Sequence, residues 1–366
     1  MPLPKVLIVA EYIDYFEYNK ILGLKEKGYK QFILCNPKDV HFNKLKEAGF
    51  KNKELILNSK FDKVGTEIIH KAIKEFSPGI IHCLPESKTV ANSIRALKNF
   101  PKNKIKLVAY RGVVGNISKL YPWSYLTYLN PRIDKIICNS KNVFNYFLKV
   151  GLAKEKLVVI HKGVDFNWHK DILNSDKEYL KKDNIEKNVF LISTMGSFRT
   201  VKGLKYLLEA IDDLNNPLIY LMVIGKIKSE YEKKLLKDLQ ERKLAKFVNY
   251  TDNPLPLIKD SDLYIVPSVQ ETFSRGALES ICVNTPVIST KVGGMPEMLT
   301  DRFAFIKSKS KIEIKNAIEL YFNLFTSDPT KRRSIINQQR DFLIKNFNIE
   351  KNIYKTDEFY KLMALS

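Results

Sequence analysis

The stretch Val266 to Met298, VPSVQETFSRGALESICVNTPVISTKVGGMPEM, decides how the rest of the chain reads. Tyr264 to Pro267 reads as the end of a buried strand. Gly276 to Val283 reads as a short helix stopping at Asn284, a residue that tolerates the left-handed cap conformation, and Pro286 to Ser289 as the next strand. Strand, turn, helix and strand in so few residues form one unit of a parallel sheet. Glu271 falls in the turn before the helix and Glu279 within it. Eight helical residues would rise roughly 12 Å with about 80° of rotation, so the two carboxylates face broadly the same side. They suit two hydroxyl groups of one extended ligand, and the amides of Thr272, Phe273, Ser274 and on to Gly276, at the positive end of the helix dipole, suit a diphosphate between them. The plainer alternative is a solvated helix face.

Working outward, the first half alternates strand and helix. Lys5 to Ala10, Gln31 to Cys35, Ile80 to Leu84, Lys106 to Tyr110, Ile136 to Asn139 and Leu157 to Ile160 read as strands. Tyr18 to Lys27, Thr66 to Phe76, Lys88 to Leu97 and Lys141 to Val150 read as helices. From about Phe166 to Lys187 the pattern breaks into charged, aperiodic sequence. A second alternating set follows, with strands at Val189 to Thr194, Pro217 to Ile224, Phe247 to Tyr250, Leu263 to Val266 and Pro286 to Ser289. The reading is an α/β protein with an amino-terminal unit over 1–165, a connection over 166–187 and a second unit over 188–345. The final helix, 346–366, carries Ile353, Phe359, Tyr360 and Met363. In doubly wound sheets, ligands bind outside the carboxyl ends of the strands.

PSVQETFSRGALES, NTPVIST and GGMPEM together resemble the donor-site signature of retaining glycosyltransferase family 4, whose architecture is GT-B: two doubly wound Rossmann-like domains facing a central cleft. That resemblance assigns Glu271 to the donor sugar, as a catalytic residue, and Glu279 to the ribose. Thr272, Ser274 and Asn284 stand where the family usually has glycine, yet still provide backbone amides for phosphate. GSFRTVKG, at Gly196 to Gly203, resembles the family's phosphate loop. There Ser197 holds the usual arginine position, and Arg199 with Lys202 would supply the charge, as a planar fork and a point charge respectively. Ile136 to Asp165 resembles the last amino-terminal unit, with Gly163 and Asp165 matching its Gly-x-Asp element and Lys162 in place of asparagine. VIGKIK, at Val223 to Lys228, keeps only Gly225 of a familiar glycine pair. In VAYRGVVGN, Arg111 stands where many relatives carry histidine. An arginine can stabilise a departing phosphate but cannot act as a neutral base, so Arg111 is a catalytic candidate, with a structural ion pair as the alternative. The loop AEYIDYFEYNK, containing Glu11, lacks the glycine pair often found after the first strand. In the family the closing helix commonly crosses back onto the first domain; a plain packing helix is the alternative.

The chain of 366 residues has a net charge of +21, 45% hydrophobic residues and four cysteines. Residues 1–165 hold 29 Lys and Arg against 14 Asp and Glu, and the remainder 32 against 26, so the basic excess lies in the first half. Such an excess favours a polyanionic partner, either an anionic membrane surface, a phosphorylated lipid carrier or a nucleic acid, unless the lysines are simply solvated surface. No recognisable nucleic-acid-binding signature is present, which disfavours that class. No apolar run reaches the roughly 18 residues that span a bilayer, so a cytoplasmic protein, peripheral at the inner face of the membrane, is expected. Cys35, Cys83, Cys138 and Cys282 read as reduced core residues. His41, His70, His82, His161 and His169 lack paired ligand spacing, and Asp260-Ser261-Asp262 reads as a turn, not a D-x-D metal motif. No metal or resident cofactor is implied. The expected function is metal-independent hexosyl transfer from a UDP- or GDP-linked sugar to a glycan or lipid-linked acceptor in envelope polysaccharide or lipopolysaccharide synthesis. A sugar-nucleotide epimerase or phosphorylase on the same architecture, and a basic nucleic-acid-binding or scaffold protein, are the rivals.

Overall fold

The computed structural model describes residues 2–167, 170–174, 189–251, 253–299 and 305–365. It divides into two compact units, one of Met1–Asp165 with Phe347–Ser366 and the other of Phe166–Asn346. Residues 168–169 and 175–188, which include most of the expected connection and His169, lie outside the described residues.

The first unit is built on seven strands: β1 Val6–Val9, β2 Gln31–Cys35, β3 Lys51–Glu54, β4 Ile80–Cys83, β5 Lys106–Arg111, β6 Lys135–Cys138 and β7 Leu157–Val159. They form one parallel sheet in the order β3-β2-β1-β4-β5-β6-β7. β1, β2 and β4 are buried along their whole length, because helices cover both faces. The edge strand β3 reads KNKE and is largely exposed, so no apolar run announces it; lysines on an edge also discourage pairing with another chain. Four of the helices start on side-chain caps. Asp14, Asp39, Asp62 and Ser140 accept the amides of Glu17, Phe42, Gly65 and Val143. The Asp14 cap starts the first helix at Tyr15, three residues before the expected Tyr18.

The last helix, Ile349–Leu365, completes this first unit. Phe359, Tyr360 and Met363 enter the core with Ile8, Ile21, Tyr29 and Ile80. Tyr360 Oη lies 2.6 Å from the buried His82 Nδ1, and Tyr29 Oη donates to Asp357 Oδ1 at 2.8 Å. Gly163 is fixed by the same packing. A Cβ there would stand 2.8 Å from Ile349 Cα and 3.0 Å from the Asn348 carbonyl oxygen. Lys162, where the family pattern has asparagine, reaches the carboxylate of Asp14 and is almost fully buried.

The second unit has six parallel strands: β8 Phe190–Phe198, β9 Ile219–Ile227, β10 Ala245–Asn249, β11 Leu263–Val266, β12 Val287–Thr290 and β13 Phe305–Ile306, in the order β10-β9-β8-β11-β12-β13. β8 and β9 run past their expected ends at Thr194 and Ile224, keeping register from Phe190↔Ile219 to Phe198↔Ile227. Gly225 allows this. It sits at φ +131°, and a Cβ would fall 2.0 Å from the carbonyl oxygen of its partner Gly196. From β8 the chain steps outward to β9 and β10, then crosses back to β11 on the other side of β8, so the carboxyl ends of β8 and β11 form the switch point at which open sheets bind ligands.

Asp262 precedes β11 at its amino end, away from that switch point. Its Oδ2 accepts the Leu191 amide at 2.9 Å, a structural role for the D-x-D look-alike. The four cysteines are buried and unpaired by disulfides. Among the described residues no cluster of His, Cys, Asp or Glu could hold a metal ion, and no helix is long and apolar enough to cross a membrane.

Candidate active site

At the carboxyl ends of β8 and β11 the second unit encloses a cavity of about 380 Å³, within the size range of small-molecule pockets. Arg199, Lys202, Phe273, Ser274, Glu271 and Glu279 all line it, so the sequence-selected residues of this unit meet in one place. Thr272 lies between two of them.

The loop after β8 is locked onto the loop after β11. Gly203, at φ +66°, ends a single 3-10 turn over Thr200–Lys202, and a Cβ there would lie 2.1 Å from the Pro267 carbonyl oxygen. The Val201 carbonyl accepts the amides of Val269 at 2.8 Å and Gln270 at 3.1 Å. This docking puts Lys202 Nζ 2.6 Å from Glu271 Oε2. Glu271 is held from all sides. Its Oε2 also accepts Ser268 Oγ at 3.4 Å, its Oε1 accepts the Thr272 amide at 3.2 Å, and its carbonyl accepts the Gly294 amide at 3.1 Å. GGMPEM thereby supports Glu271 through its backbone. Thr290 Oγ1, donating to the Ser268 carbonyl at 2.5 Å, ties the same loop to β12.

The helix after this loop runs Arg275–Cys282, one residue earlier at each end than the sequence reading, and Asn284 beyond it has φ +61°. Ser274 is its N-cap, and its Oγ accepts the Ala277 amide at 3.3 Å. The Ser274 oxygen thus accepts from the helix while its O–H can still donate, and the Thr272 amide is engaged by Glu271. The phosphate-binding capacity expected of 272–274 rests on that O–H and on the remaining backbone amides at the helix start. Arg199 is exposed at the rim.

Tyr264, which the sequence reading treated only as a strand residue, is part of the site. It is buried on β11 yet lines the cavity, and a Cβ on Gly276 would stand 2.1 Å from its hydroxyl. Gly276 is therefore the residue that lets the helix, and Glu279 with it, seat against Tyr264. Burial, then the charge of Glu279, pushes the Tyr264 phenol well above its ordinary range, which keeps it a neutral donor. The Tyr264–Gly276 pairing, bulky before the turn and absent side chain after it, was the signal available in the sequence. Tyr250 and Thr251 close another side of the cavity, with Lys226 Nζ 5.0 Å from the Tyr250 ring centre.

Arg111 belongs to the first unit. Its Nε donates to the Val113 carbonyl at 2.9 Å and an Nη to the Gly115 carbonyl at 2.8 Å, and the guanidinium lies 4.8 Å from the Tyr128 ring centre. The structure gives Arg111 backbone carbonyls where the alternative reading had an ion pair, so it shapes the loop after β5. Glu11 forms an ion pair with Lys88 at 3.3 Å.

The arrangement gathers three cations, Arg199, Lys202 and Arg275, with a helix amino terminus, two carboxylates and a phenol around one cavity, a set that fits a ligand bearing both phosphates and hydroxyls. Comparison with known proteins gives the family. Residues 22–168 match the family model for Glycosyltransferase Family 4, and residues 175–342 the model for Glycosyl transferases group 1. The O-antigen biosynthesis glycosyltransferase WclY of Escherichia coli is 28% identical over 163 residues, covering 43% of this chain and 44% of that protein. Among solved structures, a glycosyltransferase of Rickettsia africae ESF-5 superposes with a TM-score of 0.82 at 20% identity, covering 98% of both chains. Anabaena HepE in complex with UDP-glucose gives 0.77 at 17% identity, covering 98% of this chain and 100% of that one. The two family models together run from residue 22 to residue 342 with one gap of six residues, and the chain belongs to the GT-B glycosyltransferases.

Proposed function

We propose that this chain is a retaining hexosyltransferase that moves a sugar from a UDP- or GDP-linked donor to a hydroxyl of a glycan or lipid-linked acceptor, at the membrane, in envelope polysaccharide or lipopolysaccharide synthesis. The observation that carries this reading is the Lys202–Glu271 pair at the mouth of the helix Arg275–Cys282, with Glu279 further along the same cavity. The name of WclY supports the envelope setting, and the UDP-glucose held by HepE supports the donor class.

In the reaction the bond from the sugar's anomeric carbon to the diphosphate breaks, negative charge grows on the departing diphosphate, and the acceptor oxygen bonds to that carbon on the same face while its proton passes to the departing diphosphate oxygen. Lys202, Arg199 and the helix-start amides meet that charge, which is why no metal is assigned to the step. Glu271 orients the sugar hydroxyls and Glu279 the ribose. Before donor arrives, Lys202 and Glu271 neutralise each other. A diphosphate then draws Lys202 away and frees Glu271 for the sugar. Because catalysis gains only from interactions stronger in the transition state, Lys202 should affect turnover more than donor affinity.

The test is donor turnover, followed as nucleoside diphosphate release, with the product's anomeric configuration read by NMR. Glu271→Gln should lower turnover by about 10²-fold or more, and the wild-type product should keep the donor's anomeric configuration. Unchanged turnover in Glu271→Gln, or an inverted product, would overturn the corresponding half of the proposal.

A further inference from the structure

Large apolar side chains in this protein are overwhelmingly buried, with one dense exception on the first unit. In the loop after β5, Leu120 is 88% exposed and Trp123 61%, and Tyr121 and Tyr125 stand out beside them. Phe61, exposed on the loop after β3, meets Trp123 edge-on with ring centres 6.3 Å apart. These side chains are held outward by an anchored backbone. Ile117 is buried in the core. Tyr146 Oη donates to the Ile117 carbonyl at 2.7 Å and accepts its amide at 3.0 Å. The buried Ser124 Oγ accepts the Ser118 amide at 3.1 Å. Five exposed apolar groups on a fixed scaffold are costly in water unless something covers them.

Charge identifies the cover. From Ser87 to Ile133 the chain holds nine Lys and Arg and no Asp or Glu. Arg95 stacks 4.3 Å from the Phe61 ring centre, Lys119 adjoins Leu120, and Arg111 opens the same loop. A second copy of this chain would set like charge against like charge. Trp and Tyr with an aliphatic tip, with Arg95, Lys119 and Arg111 alongside, is the composition of a surface that sits at the headgroup level of a bilayer. Nucleic acid would stack on the rings but leave Leu120 in water.

We propose that Leu120, Tyr121, Trp123, Tyr125 and Phe61 form a docking surface for an anionic phospholipid bilayer, inserted to headgroup depth and steered by the surrounding basic residues. This deepens the membrane part of the function proposed above and rests on it. The Arg111 loop and the docking surface are one continuous segment, which would bring a lipid-linked acceptor to the loop that carries Arg111.

The experiment is flotation of the full chain with vesicles containing phosphatidylglycerol, against vesicles of phosphatidylcholine alone. Trp123 emission is read in a Trp168→Phe background, and nucleotide-sugar binding is measured on the same samples. The expected result is flotation with the anionic vesicles only, weakened by salt, with a blue-shifted Trp123 emission. Leu120→Ser and Trp123→Ser should each lower the partition coefficient by about tenfold while donor binding stays at the wild-type level. Equal flotation of wild type and both variants, or no flotation of wild type, overturns the docking surface. So does salt-sensitive binding of single-stranded RNA that Trp123→Ser abolishes without any flotation, or a concentration-dependent dimer lost in Leu120→Ser. Donor binding without flotation strikes down the docking surface alone, and flotation without donor binding strikes down the transferase reading alone.

Discussion

Replacing Gly203 by alanine tests how the donor cavity is assembled. The added Cβ would lie 2.1 Å from the Pro267 carbonyl oxygen, about 0.9 Å inside the nearest approach that real Cβ atoms make, and the atom it meets is backbone that cannot rotate away. The two loops must separate. Three costs follow: the left-handed conformation at φ +66°, about 1–2 kcal/mol for a residue with a side chain; the weakening of the two amide bonds to Val201, about 0.5–1.5 kcal/mol each; and the loss of the partly exposed Lys202–Glu271 pair, up to about 1 kcal/mol. Allowing for partial relaxation, Gly203→Ala should lose about 3 kcal/mol, or about 6–12 °C in Tm for a unit of this size. A shift of about 1 Å at Lys202 should also reduce donor turnover by about 10²-fold. Gly49→Ala is the control. Gly49 has φ +75° with nothing within 4 Å of an added Cβ, so it incurs the conformational cost alone, about 1–2 kcal/mol, with donor binding unaffected. Differential scanning fluorimetry reads stability, nucleoside diphosphate release reads turnover, and calorimetric titration reads donor binding in the control. If Gly203→Ala loses no more stability than Gly49→Ala and turns donor over like the wild type, the loop-on-loop assembly is wrong.

Three further outcomes follow from the packing. Glu232 is buried, its Oε1 accepting the Lys205 amide at 3.1 Å, and burial raises its carboxyl above the ordinary 4.5. The unfolded chain therefore ionises first. This costs stability as pH rises above about 4.5, so Glu232→Gln should melt higher than wild type at pH 8 and no higher at pH 4; a gain confined to pH 4 would reverse the sign. Tyr360→Phe leaves the buried His82 Nδ1 without its partner and should cost about 1–3 kcal/mol in chemical denaturation, and a loss under 0.5 kcal/mol would mean that the contact carries little. Burial pushes the Cys83 and Cys138 thiols up to about 12, so neither should react with Ellman's reagent in the native protein, whereas all four cysteines react once it is unfolded; rapid native labelling at Cys83 or Cys138 would contradict their burial.

What the sequence disclosed depended on whether a residue announces its own environment. β1, β2 and β11 are continuous apolar runs because both faces are covered, and they were legible. β3, with the sequence KNKE, takes its structure from pairing with β2 and carries no apolar signal of its own. The ends of β8 and β9 were missed because their extension rests on two glycines approaching across the ladder, a relation between Gly196 and Gly225 that no local window contains. At the site, the spacing of Glu271 and Glu279 and the basic loop of Arg199 and Lys202 left a solvated surface open; the resemblance to the family's motifs singled these residues out, and the structure brings them to one cavity. Tyr264 was missed because a buried tyrosine in a strand looks like core until the Gly276 helix is laid against it. The Lys202–Glu271 pair spans 69 residues and required the docking of Gly203 on Pro267 to be seen. Arg111 shows the opposite limit, since its backbone partners at Val113 and Gly115 depend on a loop conformation that sequence does not specify.

The central claim is that the cavity of the second unit holds a nucleotide sugar through Glu279, Glu271 and Lys202. The most direct measurement is isothermal titration of UDP, GDP and ADP and their common sugar conjugates, with and without a chelator, on the wild type and on Glu279→Ala. The account predicts binding of one uridine or guanosine class, unaffected by the chelator and weakened by about tenfold or more in Glu279→Ala. Binding of none of them by the wild type, or equal binding by Glu279→Ala, would contradict it.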